Sequence, residues 1–84
     1  REPAPRPTAD VGARAEIEAH LALGVAFRQK GYHDEALREY RRALTRGADE
    51  APTVRAMAEL HLLRGDGAGA APLWARLCEL RRGD

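Results

Sequence analysis

The sequence predicts an all-α fold: four antiparallel helices, paired as two helix-turn-helix hairpins and stacked as a short solenoid. Three observations lead there. Hydrophobic residues make up 44% of the 84 residues but aromatics only 5%, so the apolar content is mostly Ala and Leu, which favour helices over sheets. Glycines recur at helix-length intervals (Gly31, Gly47, Gly65, Gly83), each preceded by a basic residue: Lys30, Arg46, Arg64 and Arg82. Glycine takes the left-handed conformation that closes a helix, and a cation in the last turn complements the helix dipole. Between these stops the apolar residues keep the three-to-four spacing of a helix face.

Residues 1–7 read R-E-P-A-P-R-P, and alternate prolines hold such a stretch near polyproline II. This is a disordered or extended linker, without the P-x-x-P spacing of a proline-rich ligand. The chain opens on Arg1 rather than Met, which reads as a piece of a larger protein. The helical domain then spans residues 8–84. Its first helix is expected from Thr8 or Asp10, either of which can cap it, to Lys30, with Ile17, Leu21, Leu23, Ala26 and Phe27 apolar. The second runs from His33 or Asp34 to Arg46. Ala36, Leu37, Tyr40, Ala43 and Leu44 form its apolar face at i, i+1, i+4, i+7 and i+8. The third starts between Asp49 and Thr53, where Pro52 suits a first turn, and ends at Arg64. The fourth is expected from Gly69, so that Pro72 falls in its first turn, to Arg82. It carries Leu73, Trp74, Leu77, Cys78 and Leu80. Short connections make neighbouring helices antiparallel.

Displacing the chain by 34 residues aligns Ala22 with Ala56, Gly31 with Gly65, Ala36 with Ala70 and Arg42 with Arg76. Matches in kind follow: Leu23 with Met57, Gly24 with Ala58, Tyr40 with Trp74, Leu44 with Cys78. A helix-turn-helix unit recurring at this period indicates a solenoid. Gly24 sits mid-helix, where glycine costs about 1 kcal/mol relative to Ala, so the paired helix is expected to approach closely there. Ala36 and Ala43 are the expected counterface.

Leu23-Gly24, then Phe27, Ala36, Tyr40 and Ala43, together with the stretch G-Y-H-D-E-A-L-R-E-Y-R-R-A-L, resemble the tetratricopeptide repeat family. Repeat 1 is placed at about 17–50 and a degenerate repeat 2 at about 51–84. His20 and Ala48 depart from the pattern, as do His61, Pro72 and Leu77 in the second unit. The resemblance implies a right-handed superhelix whose first helices line a concave groove for a peptide or helix of a partner protein. Carried over residue by residue, that groove consists of Glu18, Leu21, Val25, Arg28 and Gln29, with Pro52, Arg55, Glu59, Leu62 and Leu63. Leu21 and Val25 replace the Lys and Asn with which chaperone-binding members clamp a terminal carboxylate, so that activity is not expected.

A solenoid usually needs three repeats or more. The last helix therefore lacks a cover, and Leu73, Leu77 and Leu80 are expected to face another chain, as a homodimer, or another domain. The reading is a non-catalytic protein-protein interaction module, a scaffold element of a larger bacterial protein. The runner-up is a self-association or structural spacer module.

Other chemistry finds little support. The chain has no Ser and no Asn, which excludes a serine nucleophile and an asparagine-lined oxyanion hole. One cysteine permits no internal disulfide and no cysteine-based zinc site. Cys78 is expected as a small buried hydrophobe. His20, His33 and His61 lack partners at metal-ligand spacing, so no metal and no cofactor are expected; Glu16 with His20 reads as a surface contact. Asp34–Glu35 and Asp49–Glu50 read as helix caps. A net charge of +1 gives no strong field toward nucleic acid. The strip Arg38, Arg41, Arg42, Arg46 is offset by Glu35 and Glu39, making nucleic-acid binding a third reading. No apolar run is long enough for a membrane span. A lone thiol suits cytoplasm or periplasm, the cytoplasm slightly more.

Overall fold

Four helices follow one another in a computed structural model that describes residues 7–82: α1 (Pro7–Gln29), α2 (His33–Thr45), α3 (Glu50–Leu63) and α4 (Gly67–Arg82). There is no strand among the described residues. α1 packs on α2, α2 on α3 and α3 on α4, so the fold is a stack of helical hairpins. The stretch 1–6 of the expected linker and the expected stop at Gly83 lie outside the described residues.

Each turn is closed by a glycine in the left-handed region: Gly31 at φ 83°, Gly47 at 109° and Gly65 at 76°. The hydrogen bonds repeat from turn to turn. Gly31 N–H donates to Arg28 and Tyr32 N–H to Phe27. Gly65 N–H donates to Leu62 and Asp66 N–H to His61, at 3.0 and 2.7 Å. Gly47 and Ala48 make the same two bonds to Leu44 and Ala43. α1 and α3 end 34 residues apart, and α2 and α4 begin 34 apart. The two hairpin turns therefore correspond bond for bond at the spacing seen in the sequence.

Two helix starts differ from expectation. α1 already includes Pro7, because proline lacks only an N–H that a first turn leaves unpaired; Thr8 and Asp10 lie within the helix. α4 begins at Gly67 rather than Gly69, which puts Pro72 past the first turn. Asp66 explains this early start. Its Oδ1 accepts the Gly69 N–H at 2.8 Å and its Oδ2 meets His61 Nδ1 at 2.9 Å. Gly69 fits beneath this pair without a side chain: a Cβ there would collide with the Asp66 carboxylate and lie 2.5 Å from His61 Nδ1. In the first hairpin the corresponding positions hold Phe27 and Tyr32, whose ring centroids are 6.2 Å apart. One turn is thus stapled by an aromatic pair and the other by a polar pair.

The core centres on α2. Ala36, Leu37, Tyr40, Met57 and Leu60 form one buried cluster, against which Leu21, Phe27, Leu44 and Leu73 pack. Ala36 and Ala43 are fully buried, as close-contact positions require. Gly24 is buried against the Tyr40 ring, where a Cβ would come within 2.8 Å of Cε1.

Of the carboxylates expected as caps, Asp34, Glu35 and Glu50 stand in first turns and Asp49 at a cap position, and two of them also pair at longer range. Tyr32 and Asp49 occupy the cap positions of α2 and α3, and neither makes a side-chain cap bond. Asp34 instead accepts from Arg64 at 2.6 Å, and Glu50 receives both Nε and Nη2 of Arg76 at 2.6 and 2.9 Å. Glu16 pairs with Arg46 at 2.9 Å rather than with His20. His20 reaches Glu39 at 2.7 Å, and Arg42 joins the same carboxylate at 2.6 Å. Glu39 is only 6% exposed. These contacts, the His20 hydrogen bond foremost, hold its carboxyl below the ordinary carboxylate range.

Candidate partner-binding groove

A hollow of about 640 Å³ lies between the N-terminal halves of α1 and α3. Ala13, Ile17 and Leu21 form one wall and Pro52, Thr53 and Ala56 the other, with Tyr40 and the turn at 47–49 between them. The walls are apolar, while Arg14, Glu18 and Asp49 add exposed charges of both signs. Helical spacing produces this arrangement: residues 13, 17 and 21 are successive turns of one face of α1, as 52 and 56 are of α3. Such a surface accepts apolar side chains from an extended or helical segment.

The ten positions carried over from the resemblance do not form a single surface. Glu18, Leu21 and Pro52 line the main groove. Arg28, Glu59, Leu62 and Leu63 line a second hollow, of about 410 Å³, at the opposite ends of α1 and α3. Tyr40 stands between the two. Its buried ring reaches the first, and the charges of Arg28 and Glu59 in the second act on its hydroxyl in opposite directions. Burial is the main cause of its raised phenol pKa. Arg55 lines the hollow on the α4 side of α3 instead, and its Nε meets Glu59 at 3.4 Å. Val25 and Gln29 are exposed on α1 and line none of these hollows.

A third hollow, of about 610 Å³, opens between α3 and α4. Ala51, Pro52 and Arg55 face Trp74, Leu77, Cys78 and Arg81 across it. Here two expectations are corrected. Leu77 is 9% exposed and Leu73 packs on the core cluster, so both point into the α3–α4 hairpin rather than outward. Leu80 is half-buried. Cys78, expected inside, is an exposed free thiol. Ala71, Ala75 and Cys78 are exposed on α4 beside the half-buried Trp74, and the charged Arg76, Glu79, Arg81 and Arg82 are exposed with them. The last helix is apolar on both sides, and apolar spacing alone does not tell which side meets α3.

Sequence reasoning missed Ala13, Arg14, Ile17 and Tyr40 as groove residues. The available signal was the spacing of 13, 17 and 21, which continues the Leu21 stripe toward the N-terminus.

Among the described residues no three His, Cys, Asp or Glu side chains converge as a metal site would require, and no helix is long and apolar enough to cross a membrane. Arg38, Arg41, Arg42 and Arg46 are exposed, with Arg42 and Arg46 held by Glu39 and Glu16. No family model, curated protein or solved structure matches the chain.

Proposed function

We propose that this chain is a non-catalytic protein-interaction module whose α1–α3 groove holds a peptide or helix of a partner protein. The observation that carries the reading is the groove itself. It is an open apolar channel between two helices, walled by Ile17, Leu21, Pro52 and Ala56 and edged by Arg14 and Glu18. Apolar walls supply affinity by removing anchor side chains from water, and the flanking charges orient the segment. The tetratricopeptide resemblance supports the same reading, since that family binds partners on the surface formed by its first helices. In this role the chain needs no cofactor and no catalytic group.

A displayed library of random linear peptides tests it. Enrichment of sequences with apolar anchors is expected. Ala13 is exposed on the groove wall, so Ala13→Trp fills the channel without disturbing the core. It should weaken binding roughly tenfold or more while the helical circular dichroism stays unchanged. No enrichment, or binding indifferent to Ala13→Trp, would sink the proposal.

A further inference from the structure

The 34-residue correspondence extends from the turns to the helix faces, and it leaves two complementary faces open. On α3, Thr53, Met57 and Leu60 are buried, and the last two share the core cluster with Leu37 and Tyr40 of α2. Their counterparts on α1, 34 residues earlier, are Ala19, Leu23 and Ala26, all exposed. At the other end, Leu37, Tyr40 and Leu44 of α2 correspond to Ala71, Trp74 and Cys78 of α4. Ala71 and Cys78 are exposed, and Trp74 is half-buried. α1 thus bears the outward version of the surface that α3 presents to α2, and α4 the outward version of the surface that α2 presents to α3.

The hollow beside Trp74 fits the same register. Its lining residues Pro52, Arg55, Trp74 and Arg81 correspond to Glu18, Leu21, Tyr40 and Gly47, which line the main groove. In the main groove α3 supplies the remaining wall through Pro52, Thr53 and Ala56. The α1 equivalents of that wall are Glu18, Ala19 and Ala22, all exposed.

We propose that the open face of α4 receives α1 of a second copy of this chain, seated as α3 is on α2. Charge favours this occupant. The register brings the incoming Glu18 to the hollow that holds Arg55 and Arg81. Glu18 and Arg81 make no ion pair among the described residues, and Arg55 has only the 3.4 Å contact to Glu59. The two small alanines beside Glu18 allow close approach to the Trp74 ring. Because α4 of one copy meets α1 of the next, the contact is heterologous. It leaves a fresh α1 face and a fresh α4 face at the ends, so copies add in a row.

Sedimentation velocity of the full chain over a wide concentration range tests the proposal, with emission from Trp74, the single tryptophan, as a local readout. The sedimentation coefficient should rise continuously with concentration while the emission shifts to the blue. Both effects should weaken at high salt. The exposed charge reversals Glu18→Arg and Arg55→Glu/Arg81→Glu should each weaken association roughly tenfold or more. Mixing the two variant chains should restore it, because their altered faces are again complementary. Circular dichroism of each variant checks that the helices persist. A monomer at every concentration would overturn the proposal. So would a discrete dimer that Glu18→Arg leaves intact, since it would pair like faces.

Discussion

The Tyr40 ring lies directly over the backbone of Gly24, so near that a Cβ on Gly24 would stand 2.8 Å from Cε1 and 2.9 Å from Cζ. This contact joins α1 to α2 beside the core cluster. Gly24→Ala gains about 1 kcal/mol of helix propensity but forces the ring out of a packed site, which costs about 1–3 kcal/mol. A net loss of stability is expected in urea denaturation. Combining it with Tyr40→Leu should make the alanine favourable, and the double-mutant cycle isolates that coupling.

Acid should weaken the α1–α2 hairpin through Glu39. The folded-state carboxyl is held below its ordinary value of 4.5, first by the His20 hydrogen bond and then by Arg42. A lowered folded pKa gives stability that is fully present above 4.5 and is lost as the pH falls through the folded-state value. Glu39→Gln should cost about 1–2 kcal/mol at neutral pH, because the charged partner of a buried hydrogen bond is removed. It should also flatten the acid limb of a stability–pH profile.

Gly69→Ala is expected to lower the melting temperature, although propensity alone would raise stability by about 1 kcal/mol. The added methyl displaces the Asp66 carboxylate and His61, which together anchor the start of α4. Thermal unfolding followed at 222 nm, which reports helix content, checks the sign.

Leu23 and Met57 occupy matching positions in the two hairpins, yet Leu23 is 45% exposed and Met57 only 5%. Met57→Ala should cost about 2–5 kcal/mol by opening a core cavity, whereas Leu23→Ala should cost less than about 1 kcal/mol. Equal losses in denaturant titrations would contradict this difference in burial.

Cys78 should react with a maleimide in the native protein nearly as fast as in the urea-unfolded chain, because its thiol is exposed on α4. Reaction should slow at high protein concentration if α4 is covered by a second copy. Mass spectrometry of timed samples provides the measurement.

Much of the site was legible in part. Leu21 and Glu18 follow from the tetratricopeptide resemblance, and both line the main groove. Arg55 did not follow, since its position on α3 fits either the groove or the α4 side until the crossing of the helices is known. Leu73, Leu77 and Cys78 failed for a related reason. Neighbouring apolar residues on a helix surrounded by small side chains define no single inner face, and only contact with α3 selects one.

The sequence by itself determined the four helices, their turns and the period of 34. These depend on local requirements: a left-handed φ at Gly31, Gly47 and Gly65, hydrogen bonds within a few residues, and apolar spacing along α2. Tertiary structure decided which surfaces are covered and which charges meet. Glu16 finds Arg46 and Asp34 finds Arg64 across 30 residues of chain, and Leu23 stays exposed where Met57 is buried. Burial and ion pairing depend on the neighbouring helix, and a helix with the same apolar spacing has an inner face only once that neighbour is in place.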